Sequence, residues 1–248
     1  MPLIRKTSGM QKDFVNIKDG KHYSFYFLPD TQDPNPASRE TFNDEENVRS
    51  AYWYPFIEKG DVIFDIGAAF GSYCLPALAM RAIVYAFSPE HEFPKIKDTI
   101  AENNGFKQRC HVYNFGFYSE TGFFKTDTAK FFKKGEMDED AMSNSNRANW
   151  TGWYIPVKRL DDFVAKENLE KIDFIKIDTE GAELEVLKGA IQTLEIYKPK
   201  ILVEFHIFKD HMIQSKIHEF LLKLGYDVRG TVYYTPYVHH GFYVFNNK

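Results

Sequence analysis

The chain has 248 residues, a formal net charge of −4 and 44% hydrophobic residues, enough for one sizeable α/β domain with additions. No lysine- or arginine-rich stripe runs through it, which argues against a nucleic-acid partner. There is no run of about 18 apolar residues to span a membrane and no apolar signal region after Met1, so a soluble cytoplasmic protein is expected.

Aromatic residues make up 17% of the chain, with 23 Phe and 15 Tyr, and predict a core and pockets built from flat side chains. Cys74 and Cys110 make no disulfide framework, and neither belongs to a CxxC pair; both read as small buried apolar groups. Asn149-Trp150-Thr151 matches a glycosylation sequon, which without a secretory signal is a chance match.

Residues 1–60 read as an N-terminal accessory segment. Residues 61–248 read as the main domain, with a loop or lid inserted at 125–152. His22–Leu28 is a short aromatic strand or hairpin arm, and Asp30–Arg39, with Pro34 and Pro36, is a loop. Asn43 or Asp44 caps a helix running to about Ile57, which Pro55 kinks or ends early. After Gly60, Asp61–Ile66 is a buried strand that runs into the turn Gly67-Ala68-Ala69-Phe70-Gly71 and then a helix over Ser72–Met80.

Ile83–Phe87 is the next strand, ending at Ser88-Pro89-Glu90. A helix over Phe93–Asn103 and a strand at His111–Phe115 complete a β-α-β-α-β series, the signature of a parallel sheet covered on both faces. The polar stretch from Lys125 to Trp150 breaks the rhythm. Beyond it the pattern predicts a strand at Tyr154–Val157, a helix over Leu160–Glu167, a strand at Phe174–Asp178 and one helix over Leu184–Leu194. A strand at Lys200–His206, a helix over Gln214–Leu224 and a closing strand pair at Tyr226–Arg229 and Gly241–Phe245 follow.

Chemistry-bearing residues collect at strand ends. The turn lacks the G-x-G-x-x-G register of a nicotinamide site, and its D-x-G-x-x-x-G spacing fits instead a turn that holds S-adenosylmethionine. In that reading Asp65, Gly67, Ala68 and Gly71 hold the methionine end, Ser88 or Glu90 meets the ribose, and Asn114 lies near the adenine.

If the strands ending at Asp178 and His206 are neighbours, Asp178, Glu180, Glu204 and His206 converge beside that turn. His206 is the first choice of base because an ordinary imidazole titrates near ~6.5, and Asp178 is the second. The plainer alternatives are a strand-end histidine satisfied by the backbone and, for Glu180 and Glu183, carboxylates at a helix N-terminus; for Glu183 the latter is preferred. Carboxylates with a histidine also suit a divalent metal, but the spacing does not demand one and none is expected. His239-His240 reads as a loop before the last strand, either exposed or in contact with an acceptor, the former preferred. Trp150, Trp153 and Tyr154 either line an acceptor pocket or pack beneath the lid.

The stretch Ile172-Asp173-Phe174-Ile175-Lys176-Ile177-Asp178-Thr179-Glu180-Gly181-Ala182-Glu183-Leu184-Glu185-Val186-Leu187-Lys188-Gly189-Ala190 resembles the signature segment of the FkbM family of S-adenosylmethionine-dependent methyltransferases. Gly60–Gly71 is similar to that family's first motif and Tyr85–Glu90 to its second. Val157–Asp162 and Ile201–His206 are similar to later segments, so the resemblance spans about residues 59–245. It implies a class I methyltransferase (Rossmann-like) α/β fold: a seven-stranded, mostly parallel sheet with helices on both faces and an antiparallel closing strand. It also implies methyl transfer to an oxygen of a small molecule, sugar or glycan. The family commonly has Asn where this chain has Ala69, and Glu where it has Ser88. Those departures define the rival reading, a binding protein that kept the fold without turnover.

Overall fold

The structure is a computed structural model that describes residues 11–16, 22–27, 46–89, 92–103, 105–125, 130–133, 154–207, 209–233 and 235–246. A hairpin of β1 (Gln11–Asn16) and β2 (His22–Phe27) precedes α1 (Glu46–Tyr52) and a 3-10 turn at Tyr54–Phe56. Then come β3 (Val62–Ile66), α2 (Cys74–Ala79), β4 (Ile83–Phe87), α3 (Glu92–Glu102) and β5 (Cys110–Tyr113). Four short strands follow: β6 (Gly116–Phe117), β7 (Gly122–Lys125), β8 (Lys130–Lys133) and β9 (Tyr154–Lys158). The remainder is α4 (Leu160–Glu167), β10 (Phe174–Ile177), α5 (Glu183–Lys188), α6 (Ile191–Tyr197), β11 (Lys200–His206), α7 (Ile213–Lys223), β12 (Tyr226–Tyr233) and β13 (Val238–Phe245).

The seven-stranded sheet runs β12-β13-β11-β10-β3-β4-β5. Pairing is parallel from β11 to β5, and β13 runs antiparallel between β11 and β12. β3 and β10 are buried along their whole length, which is why they read as near-continuous apolar runs. Chain direction through the sheet reverses between these two, so their carboxyl ends open the crevice where ligands of such sheets bind.

Lateral pairing sets Asp65 beside Lys176 and Glu204 beside His240. Alternation then carries Asp65, Lys176, Glu204, His206 and His240 to one face of the sheet. The apolar part of that face is covered by Val48, Trp53 and Tyr54 from the α1 region and by Tyr73, Leu75 and Leu78 from the α2 region. Trp53 is fully buried; its indole N–H donates to the Tyr73 carbonyl at 3.2 Å and its ring meets Phe174 edge-on at 4.6 Å. The other face packs Phe64, Phe87, Phe163 and Ile217 beneath α4 and α7.

Three expectations change. The predicted single helix over Leu184–Leu194 is two, α5 and α6, parted at Gly189-Ala190. Asp161 is the cause: its carboxylate accepts from the Thr193 N–H (2.9 Å), the Thr193 hydroxyl (2.8 Å) and the Gln192 N–H (3.3 Å), capping α6 from α4. At the break Gly189 lies against the Tyr118 carbonyl, where an added Cβ would sit 2.2 Å from its oxygen.

The second change is that the 125–152 insertion is not all loop. β8 pairs antiparallel with β7 through Phe132–Phe123 and Phe131–Phe124, in a second sheet ordered β6-β9-β7-β8. The third is that His239 and His240 lie inside β13, because the closing strands are longer than their apolar cores suggest.

Pro55 does end α1 early, opening the 3-10 turn. The cap Asn43 or Asp44, the loop Asp30–Arg39 and the aromatics Trp150 and Trp153 lie outside the described residues, as do 126–129 and 134–153. No helix among the described residues is long and apolar enough to cross a membrane.

Candidate active site

The turn after β3 is held from both sides. The Gly67 and Ala68 N–H groups both donate to the Phe87 carbonyl at 3.0 Å, and the Gly71 N–H closes back on Ala68 O at 2.7 Å. Gly67 (φ 84°), Ala69 (φ 43°) and Gly71 (φ 94°) all take left-handed conformations. A Cβ on Gly67 would lie 1.6 Å from the Asp178 carbonyl oxygen, so only glycine lets this turn touch the end of β10. Asp65 is fully buried beneath the turn; burial raises its carboxyl above the usual range, against the pull of Lys176 at 3.7 Å.

Ser88 follows β4, is buried, and anchors its N–H on the Tyr113 carbonyl at 3.1 Å. Asn114 follows β5 and is exposed. Glu90 lies outside the described residues.

β10 and β11 are parallel neighbours, so Asp178, Glu180, Glu204 and His206 do meet. His206 Nδ1 is 2.9 Å from Glu183 Oε1, and the same oxygen accepts from the Gly181 N–H (2.8 Å) and the Thr179 N–H (3.3 Å). An oxygen already used as acceptor by two amides makes Nδ1 the donor, which leaves Nε2 toward the cluster. Nε2 lies 3.3 Å from Glu180 Oε2, 3.4 Å from Glu204 Oε1 and 3.8 Å from Asp178 Oδ1. His240 Nε2 approaches Glu204 Oε2 to 2.9 Å. Among the described residues, Asp178, Glu204 and His206 are the group with metal-ligating spacing, their ligand atoms all within 4.8 Å of one another.

Electrostatics follows from the crowding. Burial favours a neutral His206, but hydrogen bonding to Glu180 and Glu183 and the charges of Glu183 and Asp178 outweigh it and push the imidazole up to about 10. Without another cation it is charged at neutral pH, which removes the reason for choosing it as base. Burial would raise Asp178, yet Lys176 and His206 hold it below the usual carboxylate range. Glu180 is also held low, first by His206, against burial. Glu180 occupies a left-handed position (φ 56°) followed by Gly181 (φ 107°), a strained turn whose Glu180 carbonyl accepts from Lys209.

Three further residues join this cluster. Lys176 is 3% exposed, and its ammonium binds the Gly67 carbonyl (3.0 Å) and Asp178 Oδ2 (3.1 Å) and sits 4.8 Å over the Tyr73 ring. Its signal was a lone cation in an otherwise apolar buried strand. Glu183 caps the turn, as its position suggested, but also orients His206. His240 joins Glu204 from β13, a pairing that no local pattern announces.

A family model described as the methyltransferase FkbM domain matches residues 65–228. The 2-O-methyltransferase NoeI of Sinorhizobium fredii is 30% identical over 153 residues, 56% of this chain and 61% of that protein. The hexuronic acid methyltransferase AglP of Haloferax volcanii is 26% identical over 162 residues, 64% of this chain and 62% of that protein. The alignments thus span about three fifths of these relatives. A solved structure, the methyltransferase FkbM from Methylobacillus flagellatus, superposes with a TM-score of 0.55 at 19% identity, covering 77% of this chain and 46% of that one, and shares the class I methyltransferase fold. The family match covers the Gly67–Gly71 turn, the β10 signature and the Glu204–His206 strand end together, and the chain belongs to the FkbM methyltransferase family.

Proposed function

We propose that the protein is an S-adenosylmethionine-dependent O-methyltransferase acting on a hydroxyl of a sugar or glycan unit. The observation that carries this reading is the close approach of Gly67 to the Asp178 carbonyl, which sets a methyl-donor turn edge to edge with a carboxylate–imidazole cluster. The names of the two relatives, a 2-O-methyltransferase and a hexuronic acid methyltransferase, support the acceptor class.

In this reading Gly67, Ala68 and Gly71 receive the methionine end of the cofactor, with Asp65 bracing the turn. Ser88 and Glu90 serve the ribose side and Asn114 the adenine side. The acceptor oxygen forms its bond to the methyl carbon as the S–CH3 bond breaks, and the electron pair of that bond returns to sulfur. The hydroxyl proton passes to the carboxylates, Asp178 or Glu204 inside and Glu180 at the rim, with His206 orienting them.

Calorimetry with S-adenosylmethionine and its demethylated product, followed by mass spectrometry of hexose and hexuronic acid glycosides, tests the proposal. Binding of either cofactor form with a gain of one methyl on a sugar is expected. No heat for either at millimolar concentration overturns it. Ser88 favours the rival, a binding protein without turnover, because it offers no ribose-binding carboxylate. Ser88→Glu separates the two: a charged hydrogen bond contributes about 1.5–3 kcal/mol, so roughly ten- to hundred-fold tighter cofactor binding with no methyl transfer would favour the rival.

A further inference from the structure

We infer that Asp178, Glu204 and His206 form a binding site for a divalent cation of the Mn2+ class, which holds the acceptor hydroxyl. The inference rests on the methyltransferase reading for its purpose, but its geometry stands alone. An ion bonded at about 2.0–2.2 Å to each ligand sets neighbouring ligand atoms roughly 3.0–3.5 Å apart. His206 Nε2 stands 3.4 Å from Glu204 Oε1 and 3.3 Å from Glu180 Oε2, within that range, and 3.8 Å from Asp178 Oδ1, just beyond it, so three carboxylate oxygens surround one nitrogen.

A second observation is independent of those distances. Glu204 is nine-tenths buried and its Oε2 makes no hydrogen bond, with His240 Nε2 2.9 Å away. A buried carboxylate oxygen left in that condition calls for a cation. Carboxylates also outnumber the ammonium groups they meet: Asp65, Asp178, Glu180, Glu183 and Glu204 gather around Lys176 and Lys209.

The outer shell is also in place. Glu183 fixes the His206 ring through Nδ1 and is itself fixed by two backbone amides, the arrangement that orients metal-bound histidines. One imidazole with two or three carboxylates suits a hard-to-borderline ion better than a thiophilic one. The bound ion would polarise the acceptor hydroxyl and favour substrates that present two adjacent oxygens, as vicinal diols do.

The test uses Mn2+ alone on the whole chain after chelator treatment, at pH 7.5. Calorimetry is expected to show one site with a micromolar to low-millimolar Kd, and pulsed electron paramagnetic resonance to show hyperfine coupling from one imidazole nitrogen. Asp178→Asn and Glu204→Gln should each weaken binding at least thirty-fold while circular dichroism stays native. His206→Gln should abolish the nitrogen coupling. No binding up to 5 mM, or a Mn2+ signal without nitrogen coupling, overturns the inference. S-adenosylmethionine heats measured in parallel keep its failure distinct from failure of the methyltransferase reading. Full sugar methylation in chelator would overturn the ion's role and leave the enzyme standing.

Discussion

Ala69 holds φ 43° on an exposed part of the donor turn, a region that β-carbon sterics make unfavourable and that Asn tolerates better. The departure from the family's Asn is therefore first a conformational matter. Ala69→Asn is expected to stabilise the fold by about 0.5–1 kcal/mol. That corresponds to a Tm rise of roughly 1–4 °C by scanning calorimetry. Lys176 presents the opposite case. It is the buried cation between Asp65 and Asp178, so Lys176→Met leaves two acids uncompensated and should cost about 3–5 kcal/mol in urea unfolding. The double variant Lys176→Met/Asp65→Asn should recover a substantial part of that loss. An additive result for the pair would show that Asp65 does not depend on Lys176.

The α5–α6 break depends on one side chain from another helix. Asp161→Ala removes three hydrogen bonds at the start of α6 and is expected to destabilise the protein by about 1–2 kcal/mol. Hydrogen exchange should quicken in α6 before α5, and equal quickening in both would argue that the helices behave as one. The sequence hides this break because Leu184–Leu194 keeps an apolar face throughout, and a cap supplied from 30 residues upstream leaves no local mark. Strands such as Ile83–Phe87 and Lys200–His206, and the helix Leu160–Glu167, were legible to the residue because breakers and apolar runs coincide there. The β7–β8 pair was obscured because its Phe-Phe dipeptides are short and bounded by Gly122 and Lys125 in β7 and by Lys130 and Lys133 in β8.

Across the whole molecule, the site is assembled on the sheet face that the N-terminal region covers. Trp53→Ala should cost about 3–5 kcal/mol, since the indole is fully buried against Tyr73 and Phe174. A chain starting at residue 59 is expected to lose its near-ultraviolet dichroism and cooperative unfolding. A cooperative transition in that truncation would instead mark residues 1–58 as an appendage. Much of the site was readable as residue types, since Asp65, Gly67, Asp178, Glu204 and His206 all fall at strand ends. Their mutual distances were not, because these depend on strand order. The protonation of His206 depends in turn on Glu180, Glu183 and Asp178, which reach it from the end of β10 and the start of α5.

β13 is separated from β3 by two strands, β11 and β10, and runs against the rest of the sheet, bringing His240 to Glu204. The register that shapes the donor turn is set by β3, β4 and β10, none of which the β12–β13 pair joins. A lineage built on this plan can therefore lengthen, shorten or rewrite one surface turn while inheriting the register of β3, β4 and β10 intact.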